Sequence, residues 1–290
     1  MKQDRSLKVS QNKNLSEFST FSIGGPASFL IEVCDFVEMK QAFCFAKEKK
    51  LPFFILGKGS NILFDDKGFK GVVIKNNIDF ITQIESTFII GAGSSLSLFA
   101  KKCAKENMTG LEFAFGIPAT VGGAIYMNAA AKDMAISDSL ESVFFMHENG
   151  EIEKIEKKDL SFSYRKSSFQ NMKGAIVAGR FKLKKDESSY ERLLSWHKKR
   201  KKTQPLEAKS LGCIFRNPEN ISAGELIEEC DLKDVRRGNA VVSSKHGNFI
   251  LNESNATSAD VKELIGYIKK VVEEKRQVKL QEEIRFLLYE

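Results

Sequence analysis

The sequence predicts a globular protein of mixed strands and helices, in two or three domains. Three observations carry this. A chain of 290 residues can bury a sizeable core and ordinarily divides into more than one domain. Its composition, 42% hydrophobic and 29% charged, is globular rather than disordered. Short β-like runs alternate with stretches of helical periodicity, with no internal repeat and no low-complexity segment.

The elements follow in order. "MKQDRSLKVSQNKNL" is charged and polar, so no signal peptide is expected, and no apolar run approaches the ~20 residues of a membrane span. Between Val37 and Lys50, Met39, Ala42, Phe43 and Ala46 recur at helical spacing, and Cys44 beside Phe43 is placed with them in the core. "PFFIL" and "GVVIK" read as strands beside glycine-rich turns. "FIIGAG" reads as a strand entering a turn, followed by a helix with Leu96, Phe99, Ala100 and Cys103 on one face. Pro205 marks a domain boundary. Ser222 and Glu225 have capping-box spacing. "TSADVKELIGYIKKVVEEKR" is the clearest helix, with a buried stripe of Val261, Leu264, Ile265, Ile268, Val271 and Val272. "VKLQEEIRFLLYE" reads as a closing strand.

The net charge of +7 admits nucleic acid, anionic lipid or small phosphorylated ligands as partners, and a general lysine bias gives the same number. "KKRKK", Lys198 to Lys202, reads as a solvated helix end or as a phosphate-binding patch. The five cysteines are odd in number and widely spaced, without a CxxC pair, which argues against a disulfide framework or a zinc site and for a reducing cytoplasm. The three histidines, His147, His197 and His246, are not at metal-ligand spacing, so no metal is expected.

Two glycine segments stand out. "LGKGSNILFDDKGFKGVVI" sets Gly57, Lys58, Gly59, Ser60 and Asn61 in a tight turn between strands. Such a turn lets backbone N–H groups approach a phosphate, although a plain hairpin turn fits the residues as well. It is neither GxGxxG nor a Walker A loop. "GLEFAFGIPATVGGAIYMNAAA" suits close backbone passage along a flat apolar ligand, or a strand pair with a bulge.

Together with "FSTFSIGGPA", "YRKS", "TQPLEAKSLGCIFRNP" and "EEIR", in this order, these segments resemble the UDP-N-acetylenolpyruvoylglucosamine reductase family from about Asn14 to Phe286. The resemblance implies a two-lobed FAD-binding fold of the vanillyl-alcohol-oxidase type plus a C-terminal α+β substrate domain. It implies flavin lobes at 1–76 and 77–203 and a substrate domain at 204–290. FAD would be non-covalent, because the glycine turns hold no histidine or cysteine. Its pyrophosphate would lie on Gly57–Asn61, and Gly116, Ile117, Pro118, Thr120, Gly122 and Gly123 would pass close to the flavin. NADPH would be the co-substrate, and UDP-N-acetylglucosamine enolpyruvate, reduced to UDP-N-acetylmuramate in bacterial cell-wall synthesis, the substrate.

The same resemblance implies the catalytic set. Arg165, which alone reads as a strand-end surface arginine, would pair with the substrate carboxylate. Glu283, which alone reads as a solvated charge, would hold or polarise the enolate or orient Arg165. Cys213, which alone reads as a buried strand cysteine, would stand where the family commonly has serine and would give the proton; a thiol of pKa ~8.5 is protonated at neutral pH. Tyr164, Arg216 and Asn217 would contact the UDP-sugar. Only Phe169 to Gly174 separate "YRKSS" from the strand "AIVAGRF", so the chain resembles the branch without an inserted tyrosine-bearing loop. Ala119, Ala130 and Lys132 depart from the family pattern. The rival class is a non-catalytic flavin fold or a basic nucleic-acid-binding module using "WHKKRKK", which lacks aromatic interleaving.

Overall fold

In the computed structural model, which describes residues 7–289, Asp35 opens helix α1 (Phe36–Lys49) by accepting from the Glu38 N–H. The first six residues of the polar N-terminal stretch lie outside the described residues. Met39, Ala42, Phe43 and Ala46 form the buried stripe of α1 as their spacing predicts. Cys44 does not join them. It lies one residue, about 100° of helix turn, beyond Phe43 and is exposed.

The chain divides into two compact units. Among the described residues the first comprises 7–11, 29–58 and 71–198. It holds a four-stranded sheet in the order Val9–Asn14, Pro26–Val33, Phe69–Asn76, Phe53–Leu56, and α1 packs on its core. It also holds a five-stranded sheet in the order Ile152–Glu156, Leu140–His147, Gly174–Lys182, Thr87–Gly91, Ile81–Ile84. Helix α2 (Leu96–Lys105) buries Leu96, Phe99, Ala100 and Cys103 against this second sheet's core. The glycine segment from Gly110 is neither a long loop nor a bulged strand pair. It forms a 3₁₀ turn at Glu112–Ala114, then a tight turn, then the short helix α3 (Val121–Tyr126), because Thr120 caps the Gly123 N–H at 3.2 Å.

Helix α4 (Ser189–Thr203) is anchored at its start by a buried carboxylate. Glu112 is 2% exposed and accepts from the Thr109 hydroxyl, the Gly110 N–H at 2.8 Å and Arg192 Nε at 3.1 Å. Arg192 also meets Asp186 at 2.8 Å.

The second unit comprises residues 12–28, 59–70 and 199–289. Its sheet runs Ser210–Cys213, Phe249–Asn252, Ala240–Val242, Arg236–Arg237. Helices α5 (Ala223–Glu229), with the expected Ser222–Glu225 capping box, and α6 (Ser258–Arg276) share its core. Of the closing segment only Arg285–Leu287 is a strand. It pairs in parallel with Ile62–Phe64, while Phe215 and Glu282 form a single bridge further back. A continuous strand does not form because the segment changes partner between those two contacts. Among the described residues no helix is long and apolar enough to cross a membrane.

Burial pushes the Glu112 carboxyl up, but the Gly110 N–H, Thr109 and Arg192 outweigh it and hold the pKa below the ordinary glutamate value. A depressed folded pKa means stability that is present above the unfolded pKa and lost as pH falls through the folded one. Glu112→Gln should therefore cost ~2 kcal/mol near neutral pH, and the gap from the parent should close below about pH 4. Urea unfolding of both proteins across that range measures it.

Candidate active site

In the first unit the Gly57–Lys58 turn leaves strand Phe53–Leu56. The Lys75 ammonium donates to the Gly57 carbonyl. A Cβ on Gly57 would sit 2.6 Å from Thr120 Oγ1, so this turn and the cap of α3 come together only with glycine there. Gly116 N–H donates to Ser97 Oγ at 2.9 Å, Val121 N–H to the Ser94 carbonyl at 2.9 Å, and Gly122 N–H to the Ala92 carbonyl at 2.8 Å. Ile117 and Pro118 lie in the tight turn between, where the Ala119 N–H donates to the Ile117 carbonyl at 2.9 Å, with Pro118 exposed. The structure therefore brings together Gly57, Thr120 and the glycines of α3.

Arg165 occupies the tip of a hairpin in which Ser163 pairs with Lys166. The two-residue turn is Tyr164–Arg165, and Arg165 has φ +57. A non-glycine residue there carries strain of about 1 kcal/mol, maintained by its surroundings. Those surroundings are specific. Gln170 Nε2 donates to the Arg165 and Tyr126 carbonyls, each at 3.0 Å. Asn128 Nδ2 donates to the Ser163 carbonyl at 3.0 Å. Arg165 Nη1 donates to the Ala130 carbonyl at 3.2 Å, and its guanidinium lies 4.9 Å over the Tyr164 ring. The hairpin then passes through the short turn Ser168–Asn171 to strand Gly174–Lys182, with no inserted loop.

The second unit holds the remaining candidates. Gly59 has φ +67, and a Cβ on it would lie 2.0 Å from the Phe18 carbonyl oxygen. Ser60 is half-buried beside it. Asn61 Nδ2 donates to the Glu283 carbonyl at 3.3 Å, and Arg285 N–H to the Asn61 carbonyl at 2.9 Å. Glu283 N–H donates in turn to the Ile214 carbonyl at 2.7 Å, and Arg216 N–H to the Gln281 carbonyl at 2.8 Å. Residues 213–217 and 281–285 are thus bound to each other and to Asn61. Asn248 fixes the former, accepting from Phe215 N–H at 2.9 Å and donating to its carbonyl at 2.8 Å. Asn217 Oδ1 accepts from the Ala223 N–H at the start of α5. Arg216 Nε is buried without a hydrogen-bond partner among the described residues, an orphaned cationic donor suited to an anion.

Sequence reasoning missed Arg200. Within "KKRKK" it reads as one solvated charge of five, yet it is half-buried with its charge close to Cys213. Burial lowers its pKa, and the neighbouring thiol opposes that. Its position three residues after His197 on α4 carries no distinguishing signal. Missed as well are Asn128 and Gln170, which hold Arg165, and Lys75.

The chain is thus an α+β protein whose candidate groups are glycine turns beside strands, a capped short helix and a half-buried cysteine close to a cation. Residues 28–156 match the FAD binding domain model, and residues 204–287 match the model of the UDP-N-acetylenolpyruvoylglucosamine reductase C-terminal domain. The reductase of Protochlamydia amoebophila is 47% identical over 95% of this chain and 93% of its own length. That of Chlamydia felis is 42% identical over 95% of this chain and 93% of its own length. The crystal structure of the UDP-N-acetylenolpyruvylglucosamine reductase from Thermus caldophilus superposes with a TM-score of 0.83 at 34% identity, covering 98% of this chain and all of that one. The chain belongs to the UDP-N-acetylenolpyruvoylglucosamine reductase family, which are FAD-dependent oxidoreductases. Its fold is accordingly that of the family, an FAD binding domain with the family's C-terminal domain.

Two glycines separate space from conformation. Gly59 has both a positive φ and a carbonyl in the way, whereas Gly212 (φ +77) has nothing within 4 Å of an added Cβ. Gly59→Ala should lose ~3 kcal/mol or more, because backbone must move. Gly212→Ala should lose only ~1 kcal/mol. Chemical denaturation of the two variants side by side gives the comparison.

Proposed function

We propose that this protein reduces UDP-N-acetylglucosamine enolpyruvate to UDP-N-acetylmuramate, with NADPH as reductant, as a cytoplasmic step of peptidoglycan synthesis. The observation that carries this reading is the family match along nearly the whole chain; Arg165, Cys213 and Glu283 are assigned to the chemistry by the resemblance of "YRKS", "TQPLEAKSLGCIFRNP" and "EEIR" to the family's motifs. Residues 1–76 and 77–203 are read as the flavin lobes and residues 204–290 as the substrate domain. The Gly57 turn fits a phosphate cradle, since glycine leaves it open beside Thr120 and its carbonyl is already bound by Lys75. Gly57–Asn61 would hold the FAD diphosphate, and Gly116–Gly123 would lie along the flavin.

When bound, FAD supplies the hydride chemistry, from NADPH to the enolpyruvyl methylene carbon. Negative charge then develops on the substrate's α-carbon and spreads into its carboxylate. The planar fork of Arg165 pairs with that carboxylate, held out at the hairpin tip by the backbone bonds of Gln170 and Asn128. Glu283 orients this charge arrangement from a backbone fixed by Asn61 and Ile214. Cys213 Sγ–H gives its proton to the α-carbon, completing addition of H⁻ and H⁺ across the double bond. The thiolate left on Sγ is favoured by the Arg200 charge beside it. Tyr164, Arg216 and Asn217 contact the UDP-sugar, with the orphaned Arg216 Nε as a diphosphate donor.

The purified protein should be yellow and should release intact flavin on acidification; a colourless protein that retards DNA in low salt would overturn the reading. Arg165→Lys should lose most turnover while keeping its flavin spectrum, and Glu283→Gln should behave alike. Near-parent turnover would remove the residue from the chemistry.

Cys213→Ala isolates the proton donor. NADPH should bleach its flavin absorbance at nearly the parent rate, while recovery on adding the UDP-enolpyruvyl sugar should slow by ~10²-fold. Cys213→Ser should keep substantial activity. A purely structural cysteine would instead cost ~1–2 kcal/mol of stability and leave both phases intact. Stopped-flow absorbance distinguishes the two outcomes.

A further inference from the structure

Lys75 lies opposite Leu56, where strand Phe69–Asn76 runs parallel to Phe53–Leu56. From the sheet end its side chain reaches the carbonyl of Gly57, the first residue of the glycine turn. The ammonium is half-buried. Two charged groups face it: Lys58 on the turn, which repels it, and Glu32 on strand Pro26–Val33, which attracts it. Glu32 is also engaged by Asn77 Nδ2 at 3.1 Å. Burial first, and Lys58 second, bring the Lys75 pKa down to about 8.

A trans peptide is planar, and its C=O and N–H point in opposite directions. Drawing the Gly57 carbonyl onto Lys75 therefore turns the Lys58 N–H away from Lys75. Thr120 confines the same residue, since an added Cβ would meet its Oγ1 at 2.6 Å. A half-buried cation spent on a neutral carbonyl recovers little of its desolvation cost from the protein alone. A diphosphate on the turn's N–H groups would return it.

We propose that Lys75 is a cofactor-positioning residue: it fixes the Gly57–Lys58 peptide with its N–H directed outward and sets a positive charge behind the turn that receives the FAD diphosphate. The inference rests on the flavin reading of that turn. It carries a pH signature. Binding a dianion favours the charged ammonium, so FAD affinity is highest while Lys75 is protonated and falls as pH rises above about 8. Arginine stays charged throughout that range.

The test measures the FAD dissociation constant of the full chain by flavin fluorescence at about pH 7 and about pH 9.5. The parent should weaken about tenfold between the two, Lys75→Arg by less than about twofold, and Lys75→Met should bind about tenfold more weakly than the parent at the lower pH and change little above it. A Met variant that binds FAD as tightly as the parent overturns the proposal. So does an Arg variant with the parent's pH profile, and this comparison decides if circular dichroism shows the Met variant unfolded. A parent that binds no FAD at either pH overturns the flavin reading itself.

Discussion

Asp66 is the contact on which the second unit depends. Its carboxylate accepts from the Ser258 N–H at 2.9 Å, the Ser258 hydroxyl at 2.8 Å and the Ala259 N–H at 3.4 Å, at the first turn of α6. Lys262, one turn on, reaches Asp65 at 3.0 Å. A carboxylate on the unsatisfied N–H groups of a helix start gains both hydrogen bonds and the favourable end of the helix dipole. This joins residues 59–70 to residues 199–289. With that segment held, Ile62–Phe64 can receive Arg285–Leu287, and Asn61 can hold the Glu283 backbone. The Glu283 backbone is thereby bonded on two sides, to Asn61 and to Ile214.

The first unit solves a different problem with the same means. Arg165 must stand at a hairpin tip in a conformation its side chain disfavours. The turn residue is not glycine, so its geometry is imposed from outside. Three amide and guanidinium groups, from Gln170, Asn128 and Arg165 itself, satisfy carbonyls across the hairpin and the segment after α3. In both units remote polar groups position the candidate residues through the main chain.

Periodicity made α1, α2 and α6 legible, because each buries one stripe and is capped by the residue its sequence offers. Cys44 was misplaced because adjacency in sequence is 100° of rotation on a helix. Helix α3 was invisible: six residues with two glycines carry no helical signal, and only the Thr120 cap makes the turn. The candidate site was legible through its motifs, not through its physics. Arg165, Cys213 and Glu283 each read by themselves as ordinary residues. Arg200 and Lys75 were hidden because the sequence shows a lysine's or arginine's charge but not its burial, and burial separates them from the solvated cations around them.

The bond between Asn61 and Glu283 joins residues 222 positions apart. On the ribosome, at about 5–20 residues per second, the second partner follows the first by about 10–45 s. Helix α6, which takes up Asp66, also comes late. Residues 12–28 and 59–70 can bond to each other early, Gly25 N–H to the Asp65 carbonyl and Thr20 N–H to the Gly59 carbonyl, but they emerge long before helix α6 and the closing strand, whereas most of the first unit's sheet partners are already present by residue 182. Such long-range closure slows folding. The nascent chain thus carries the Ile62–Phe64 strand without its Arg285–Leu287 partner through most of its synthesis, and its apolar pair Leu63 and Phe64, buried in the finished fold, borders an unpaired edge of the kind that invites association with other chains.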